Sequence, residues 1–291
     1  MSNALDTLIQ AIITRLEEGV APWRQSWKGG GDPHMPLRVG GEAYSGGNAM
    51  LLAMSGAMQG FTSPYWMTFQ QALALGACVR KGSKASPALL YKTKTVDADQ
   101  DTSADEKVLR FLKTYSVFCA DQIEGLPESF SQAPKRDPAM REAAQHAILS
   151  AIPAEVRHGG SKAYFHPGQD YIQMPPVECF DSIDAWRATY AHEAAHWSGH
   201  ADRLNRQFGE KFGDDAYAFE EMIAESASCL LSLHMGSAPQ RLDSHTAYLQ
   251  HWAKILKKRP TALLEAFSQG QKAVDHLLAY SQPVSALQEA A

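Results

Sequence analysis

No run in the 291-residue sequence comes near the roughly 18 to 20 uninterrupted apolar residues that a membrane-spanning helix needs, so no span is expected. Cysteine is scarce. Cys78, Cys119, Cys179 and Cys229 form no CxxC pair, which argues against a disulfide framework and for free thiols in a reducing compartment. No secretory leader is expected from the first residues either. Leu5, Leu8, Ile9, Ile12, Ile13 and Leu16 recur at i, i+3, i+4 spacing among Asp6, Arg15, Glu17 and Glu18, the pattern of an amphipathic helix packed on a core. Internal repeats and sustained low-complexity tracts are absent, which excludes a solenoid. Large charge of either sign is missing too. The net charge is −5, although a net value hides how charge is distributed along the chain.

What is present reads as a compact globular protein, with 45% hydrophobic and 20% charged residues. The length suggests two domains. The stretch 125–138 holds three prolines among polar residues and is the expected linker, dividing residues 1–127 from 138–291. In the first part the patterns predict helices over 4–18, 48–58 and 68–75, an irregular Gly/Pro-rich segment over 19–47, and strands over 88–94 and 108–119. The segment 96–106, with Asp97, Asp99, Asp101, Asp105 and Glu106, reads as a solvated hairpin tip between those strands. The second part predicts helices over 138–151, 183–198, 216–235, 243–258 and 260–280, with short strands over 163–166 and 170–174. The expected fold class is α+β, a small α+β domain followed by a mostly helical one.

Residues 191–200 read AHEAAHWSGH and contain H-E-x-x-H as His192, Glu193 and His196. Residues four apart on a helix share a face, so the two imidazoles can converge on one cation. Two neutral imidazoles, a carboxylate and a water suit zinc, with another divalent cation such as Mn2+ as the alternative. Such a cation activates water, and Glu193 is placed to take the proton and pass it to a leaving amine. Upstream, Asp181 or Ser182 can cap the helix, and Gly199 reads as a left-handed terminator.

Three arrangements compete to supply the third ligand. Glu221 and Glu225 lie four apart on a second helix, the spacing for a ligand and for a carboxylate that holds a ligand histidine by its other nitrogen, and these two roles are interchangeable on spacing alone. Asp202 would complete H-E-x-x-H-x-x-G-x-x-D, and His200 is the third, better suited to touch substrate or cap the helix. Glu221 is favoured over Asp202, because a helix carrying Glu221 and Glu225 would otherwise lack a purpose. Tyr164, on the strand before the metal helix, is a candidate for lining a substrate cleft.

Residues 19–96 carry a local charge of +6, from eight cations and two acids. Among them Arg24, Lys28, Arg38, Arg80, Lys81 and Lys84 are interleaved with Trp23, Trp27, Tyr44 and Trp66. Cations beside aromatic rings suit single-stranded nucleic acid, whose phosphates meet Lys or Arg while unstacked bases rest on rings. Gly76 and Gly82 would form turns that expose Arg80, Lys81 and Lys84 together.

The residues Leu16-Glu-Glu-Gly, Pro22-Trp23, Trp27, Tyr44, Gly46, Asn48, Trp66, Thr68-Phe69 and Val79-Arg80-Lys81-Gly82 resemble the single-stranded-DNA-binding domain of ArdC-type antirestriction proteins, which also begins TraC-type plasmid primases. Ala163-Tyr164, Asp170, Ile172, Pro175, His192-Glu193, His196-Trp197, Gly199-His200, Arg203-Leu204, Glu220-Glu221 and Ala224-Glu225 resemble the zincin-like metallopeptidase domain that accompanies it. The resemblance departs at Ser198, where the family usually has Thr, and does not rely on an acid at Asp202. It implies a plasmid-borne protein of the bacterial cytoplasm that binds single-stranded DNA, including through Asn48, and protects incoming DNA from restriction during conjugation. Ending without a primase domain favours the short antirestriction protein. A restriction-system protein as target, and no membrane partner, complete the expectation.

Overall fold

The computed structural model describes residues 3–24, 34–96, 107–131, 137–209, 214–239 and 246–281. Trp27, Lys28 and the acidic tip 97–106 lie outside them, as does most of the polar part of the expected linker, 132–136.

Helix α1 (Asn3–Glu17) buries the apolar stripe that its spacing predicts: Leu5, Ile9, Ile12, Ile13 and Leu16 are all in the core. A 3-10 turn at Pro22–Arg24 leads on to α2 (Gly46–Gln59), which ends at Gly60 in the left-handed region. The short strand β1 (Trp66–Met67) precedes α3 (Phe69–Ala74), which starts on a reciprocal cap between Thr68 and Gln71. Strand β2 (Cys78–Val79) follows, and then β3 (Ser86–Val96) and β4 (Lys107–Cys119) pair antiparallel from Ser86↔Val117 to Val96↔Lys107. β1 joins the other edge of β4, giving the order β1-β4-β3, and β5 (Ile123–Glu124) pairs with β2. Asn48 pins α2 to this sheet: its amide accepts from the Leu89 N–H at 2.6 Å and donates to the Leu89 carbonyl at 2.9 Å.

Helix α4 (Pro138–Ser150) begins on an Asp137 cap with proline in its first turn. The strands β6 (Glu155–His158), β7 (Tyr164–His166) and β8 (Tyr171–Met174) form a sheet of order β6-β8-β7, β6 parallel and β7 antiparallel to β8. β6 has no counterpart in the sequence reading, because Glu-Val-Arg-His shows one apolar residue and no alternation worth the name. Four helices follow among the described residues: α5 (Ile183–Ser198), α6 (Asp215–His234), α7 (Thr246–Lys258) and α8 (Ala262–Leu278).

The α+β class is as expected, with eight α-helices and small sheets among the described residues. One apolar cluster runs through both parts of the chain, from Leu5 on α1 to Leu277 on α8. α1 packs on α7, and α2 on α8, while α8 also packs on α5 and α6. The approach of α8 to α6 is close: a Cβ at Gly270 would lie 3.2 Å from the Ala227 nitrogen and 3.3 Å from the Ile223 carbonyl oxygen. All four cysteines are free thiols, Cys119 and Cys229 buried. No helix among the described residues is long and apolar enough to cross a membrane.

Candidate metal centre

The site is built by α5 and α6, packed side by side. Ser182 caps α5, its hydroxyl accepting from the Ala185 N–H at 3.1 Å, and every residue from Tyr190 to Ser198 is buried. Asp214 caps α6 by accepting from the Tyr217 N–H, and α6 is buried continuously from Glu220 to Leu233. The polar side chains on the face that these helices share are buried, so they need partners there.

They meet around three donors. The Nε2 atoms of His192 and His196 are 3.1 Å apart. One Glu221 carboxylate oxygen lies 3.5 Å from Nε2 of His192 and the other 3.5 Å from Nε2 of His196. Ligands about 2.0–2.1 Å from a common tetrahedral centre stand roughly 3.3 Å from each other, so the spacing fits one zinc-sized cation. Among the described residues, the His, Cys, Asp and Glu side chains that gather this way are His192, His196 and Glu221. Asp202 is not brought to the histidines; it is exposed and lies 3.5 Å from Nδ1 of His200.

Behind each histidine stands a second carboxylate from α6. Nδ1 of His196 is 3.1 Å from Glu220 Oε1, and Arg206 holds both Glu220 oxygens, Nη2 to Oε1 at 2.7 Å and Nε to Oε2 at 2.9 Å. Nδ1 of His192 faces Glu225 Oε2 at 3.8 Å. A carboxylate on the far nitrogen fixes the tautomer and turns the near lone pair toward the cation. Glu225 thus lies on the Nδ1 side of His192 but beyond hydrogen-bonding distance, whereas Glu220, to which the sequence reading gave no role, bonds His196, and Arg206 escaped that reading; the adjacent pair Glu220-Glu221 was the signal that two acids, not one, face this site.

Electrostatically the cluster calls for positive charge. Burial alone would lower the His196 pKa, but the Glu221 and Glu220 carboxylates outweigh it and raise it to about 10. Glu221 and Glu220 pay for burial with raised values that the facing histidines and, for Glu220, Arg206 reverse, leaving both well below the usual carboxylate range. The donor set therefore fits a divalent cation, which competes with the proton on His196.

Gly199 differs from its expected role. Its φ of −82° is right-handed, and the last α5 carbonyls are met by following backbone N–H groups, with Leu204 N–H on the Ser198 carbonyl at 3.0 Å, and by two side chains: Arg206 Nη2 donates to the Ala195 carbonyl and Arg203 Nε to the Trp197 carbonyl, each at 2.6 Å. The guanidinium sits close over it: a Cβ there would stand 2.7 Å from Arg206 Nη2 and 2.8 Å from Cζ, so a larger residue must displace the Arg206 side chain.

Glu193 follows His192 on α5 and is buried beside it. Tyr164 lies on the edge strand β7, exposed, with its hydroxyl 3.1 Å from that of Tyr171. The next residue, Phe165, points the other way, its ring near those of His200 and Phe208, and Phe208 in turn lies near His196. Arg203 pairs with Asp170, tying the turn before β8 to the end of α5.

In the N-terminal part the expected nucleic-acid residues divide. Trp23, Tyr44 and Trp66 are buried, so they cannot offer a face to a base; Trp23 and Trp66 belong to the main core, and Arg38 covers the Tyr44 ring at 4.3 Å. Asn48 serves the Leu89 backbone. Arg24 has its backbone in the 3-10 turn. Gly76 and Gly82 take the positive φ values that turns require, and Arg80, Lys81 and Lys84 are exposed together. On α3, Phe69 is exposed, 44% accessible, with Leu73 one turn along at 47%. α3 packs on β2, which Arg80 follows directly.

Known proteins are similar to this chain in sequence and in fold. Residues 143–269 match the model of a zincin-like metallopeptidase family, and residues 2–118 that of the N-terminal domain of anti-restriction factor ArdC. DNA primase TraC of Escherichia coli is 36% identical over 95% of this chain, which spans 27% of that protein's length. The y4eC protein of Sinorhizobium fredii is 30% identical over 94% of this chain and 91% of its own. The crystal structure of the antirestriction protein ArdC from plasmid R388, metal-free, superposes with a TM-score of 0.79 at 37% identity, covering 96% of this chain and 98% of that one. Its Mn(II)-bound structure gives 0.77 at 36% identity over 97% and 99%. By sequence along nearly its whole length, and by fold, the chain belongs to the ArdC-type antirestriction family, its ArdC N-terminal domain followed by a zincin-like metallopeptidase domain.

Proposed function

We propose that this protein protects incoming plasmid DNA from restriction during conjugation, in the bacterial cytoplasm, by binding single-stranded DNA through residues 1–127 and hydrolysing a peptide bond, in a restriction-system protein, at a cation site within residues 138–291. His192, His196 and Glu221 hold zinc or another divalent cation such as Mn2+, and Glu193 is the general base. The observation that carries the reading is the gathering of His192, His196 and Glu221, one ligand atom of each within 4.8 Å of the others, with a carboxylate behind each histidine. When bound, the cation supplies Lewis acidity to a substrate carbonyl and a nucleophile at neutral pH. The protein supplies the rest. Glu220 and Glu225 orient the imidazoles, Glu193 takes and returns the proton, and the free edge of β7 at Tyr164 offers backbone groups to an extended segment.

Single-stranded DNA is assigned to the basic turn of Arg80, Lys81 and Lys84, with Phe69 and Leu73 as the apolar platform beside it. Mn(II) in the related R388 protein supports a divalent occupant.

A second reading has its own observation. His192, His196, Glu221 and Glu193 are all buried, which favours a cation that ties α5 to α6 and leaves protection to DNA binding alone. Restriction-protection assays separate the two. Glu193→Ala should abolish protection while DNA binding persists if the site is hydrolytic; full protection by Glu193→Ala, lost on Arg80→Ala/Lys81→Ala, would leave the second reading standing.

A further inference from the structure

We propose that Trp23, from the N-terminal half, is a positioning residue of the cation site: its indole N–H holds one oxygen of Glu225 and so aims the other at His192. This rests on the reading of His192, His196 and Glu221 as a cation site. Trp23 Nε1 donates to Glu225 Oε1 at 2.8 Å across 202 positions of sequence, and Glu225 Oε2 stands 3.8 Å from His192 Nδ1. All three side chains are buried, Glu225 at 1% accessibility. The indole has little freedom. Its ring packs on that of Trp252 at 5.6 Å, and Trp252, fully buried, is itself anchored to α6 by donating to the Ala218 carbonyl at 2.8 Å.

The two histidines are thus backed in parallel by different chemistry. Glu220, behind His196, is held by the charged fork of Arg206, which neutralises it. Glu225, behind His192, takes on Oε1 the hydrogen bond of a neutral donor, the Trp23 indole, which leaves Oε2 as the oxygen nearer His192 Nδ1. Without that donor the carboxylate is free to rotate, and the group that flanks Nδ1 of His192 is no longer held in place. The metal centre on α5 and α6 is therefore completed by a residue that precedes both helices by more than half the chain.

The test measures Zn2+ and Mn2+ dissociation constants on the full chain by competition with a chromophoric chelator, for wild type, Trp23→Phe, Glu225→Gln and the double variant. Thermal midpoints of the chelator-treated proteins are recorded alongside. Trp23→Phe should weaken binding about 10–100-fold, the range for loss of a group that orients a ligand. The double variant should be no weaker than the weaker single one, because the indole acts through the carboxylate. If Trp23→Phe lowers the midpoint but leaves the dissociation constants unchanged, or if the two losses multiply, the proposal is overturned. Benzothienylalanine at position 23 keeps the ring shape and removes the N–H, so the same comparison holds if Trp23→Phe folds poorly. Wild-type protein that binds neither cation would instead overturn the metal-centre reading, and this inference with it.

Discussion

The guanidinium of Arg206 and the carboxylate of Glu220 form a two-point ion pair with both side chains at 5% exposure or less. One end of this pair orients His196 and the other closes the α5 C-terminus at the Ala195 carbonyl. Removing one partner leaves an uncompensated buried charge, so Arg206→Ala should cost about 3–5 kcal/mol in urea unfolding. Arg206→Lys keeps the charge but loses the fork, and should fall between that variant and wild type.

Gly199 tests the same pair sterically. Its backbone is in a region open to any residue, so Gly199→Ala brings no strain of its own; the added methyl meets the Arg206 guanidinium. We expect Gly199→Ala to lower both stability and cation affinity, and to add little on an Arg206→Ala background. A Gly199→Ala protein with wild-type unfolding and cation affinity would show that the guanidinium is free to move aside.

Much of this site could be read from residue spacing. The α5 boundaries and Ser182 cap, the convergence of His192 and His196, and the rival claims of Glu221 and Asp202 all follow from positions along single helices. What spacing cannot carry is direction across the chain. Arg206 and Trp23 meet their glutamates only through tertiary packing. The run of aromatics in the N-terminal half likewise does not say which rings turn inward: Trp23, Tyr44 and Trp66 do, while Phe69 does not. β6 was illegible because a strand bonded along one edge and largely exposed needs no apolar alternation.

The raised pKa of His196 gives a pH signature. The folded value of about 10 exceeds the ordinary 6.5, so the protonated ring stabilises the chelator-treated protein fully below about pH 6.5, and this stabilisation is lost as pH rises through 10. Cation binding displaces that proton, so affinity should rise with pH across the same interval. Thermal midpoints measured from pH 6 to about 10 with chelator should fall, and with Zn2+ added the decline should vanish. A flat profile under chelator would contradict the assigned charge state.

DNA binding should separate charge from stacking. Lys81→Ala and Lys84→Ala should each reduce the slope of log K against log salt by about 0.7 for a single strand. Phe69→Ala should weaken binding by about 1–3 kcal/mol with the slope unchanged. Trp66→Phe, in the core, should lower the unfolding midpoint and leave the affinity of the folded protein intact. Fluorescence anisotropy with a labelled oligonucleotide over a salt series reads all four.

The most direct test of the metal centre is cation stoichiometry by elemental analysis after dialysis against Zn2+ or Mn2+, for wild type, Glu221→Ala and Asp202→Ala. Wild type and Asp202→Ala should each retain one cation per chain, and Glu221→Ala should lose it. Protein without bound cation, or a cation lost from Asp202→Ala and kept by Glu221→Ala, would contradict the site built by His192, His196 and Glu221.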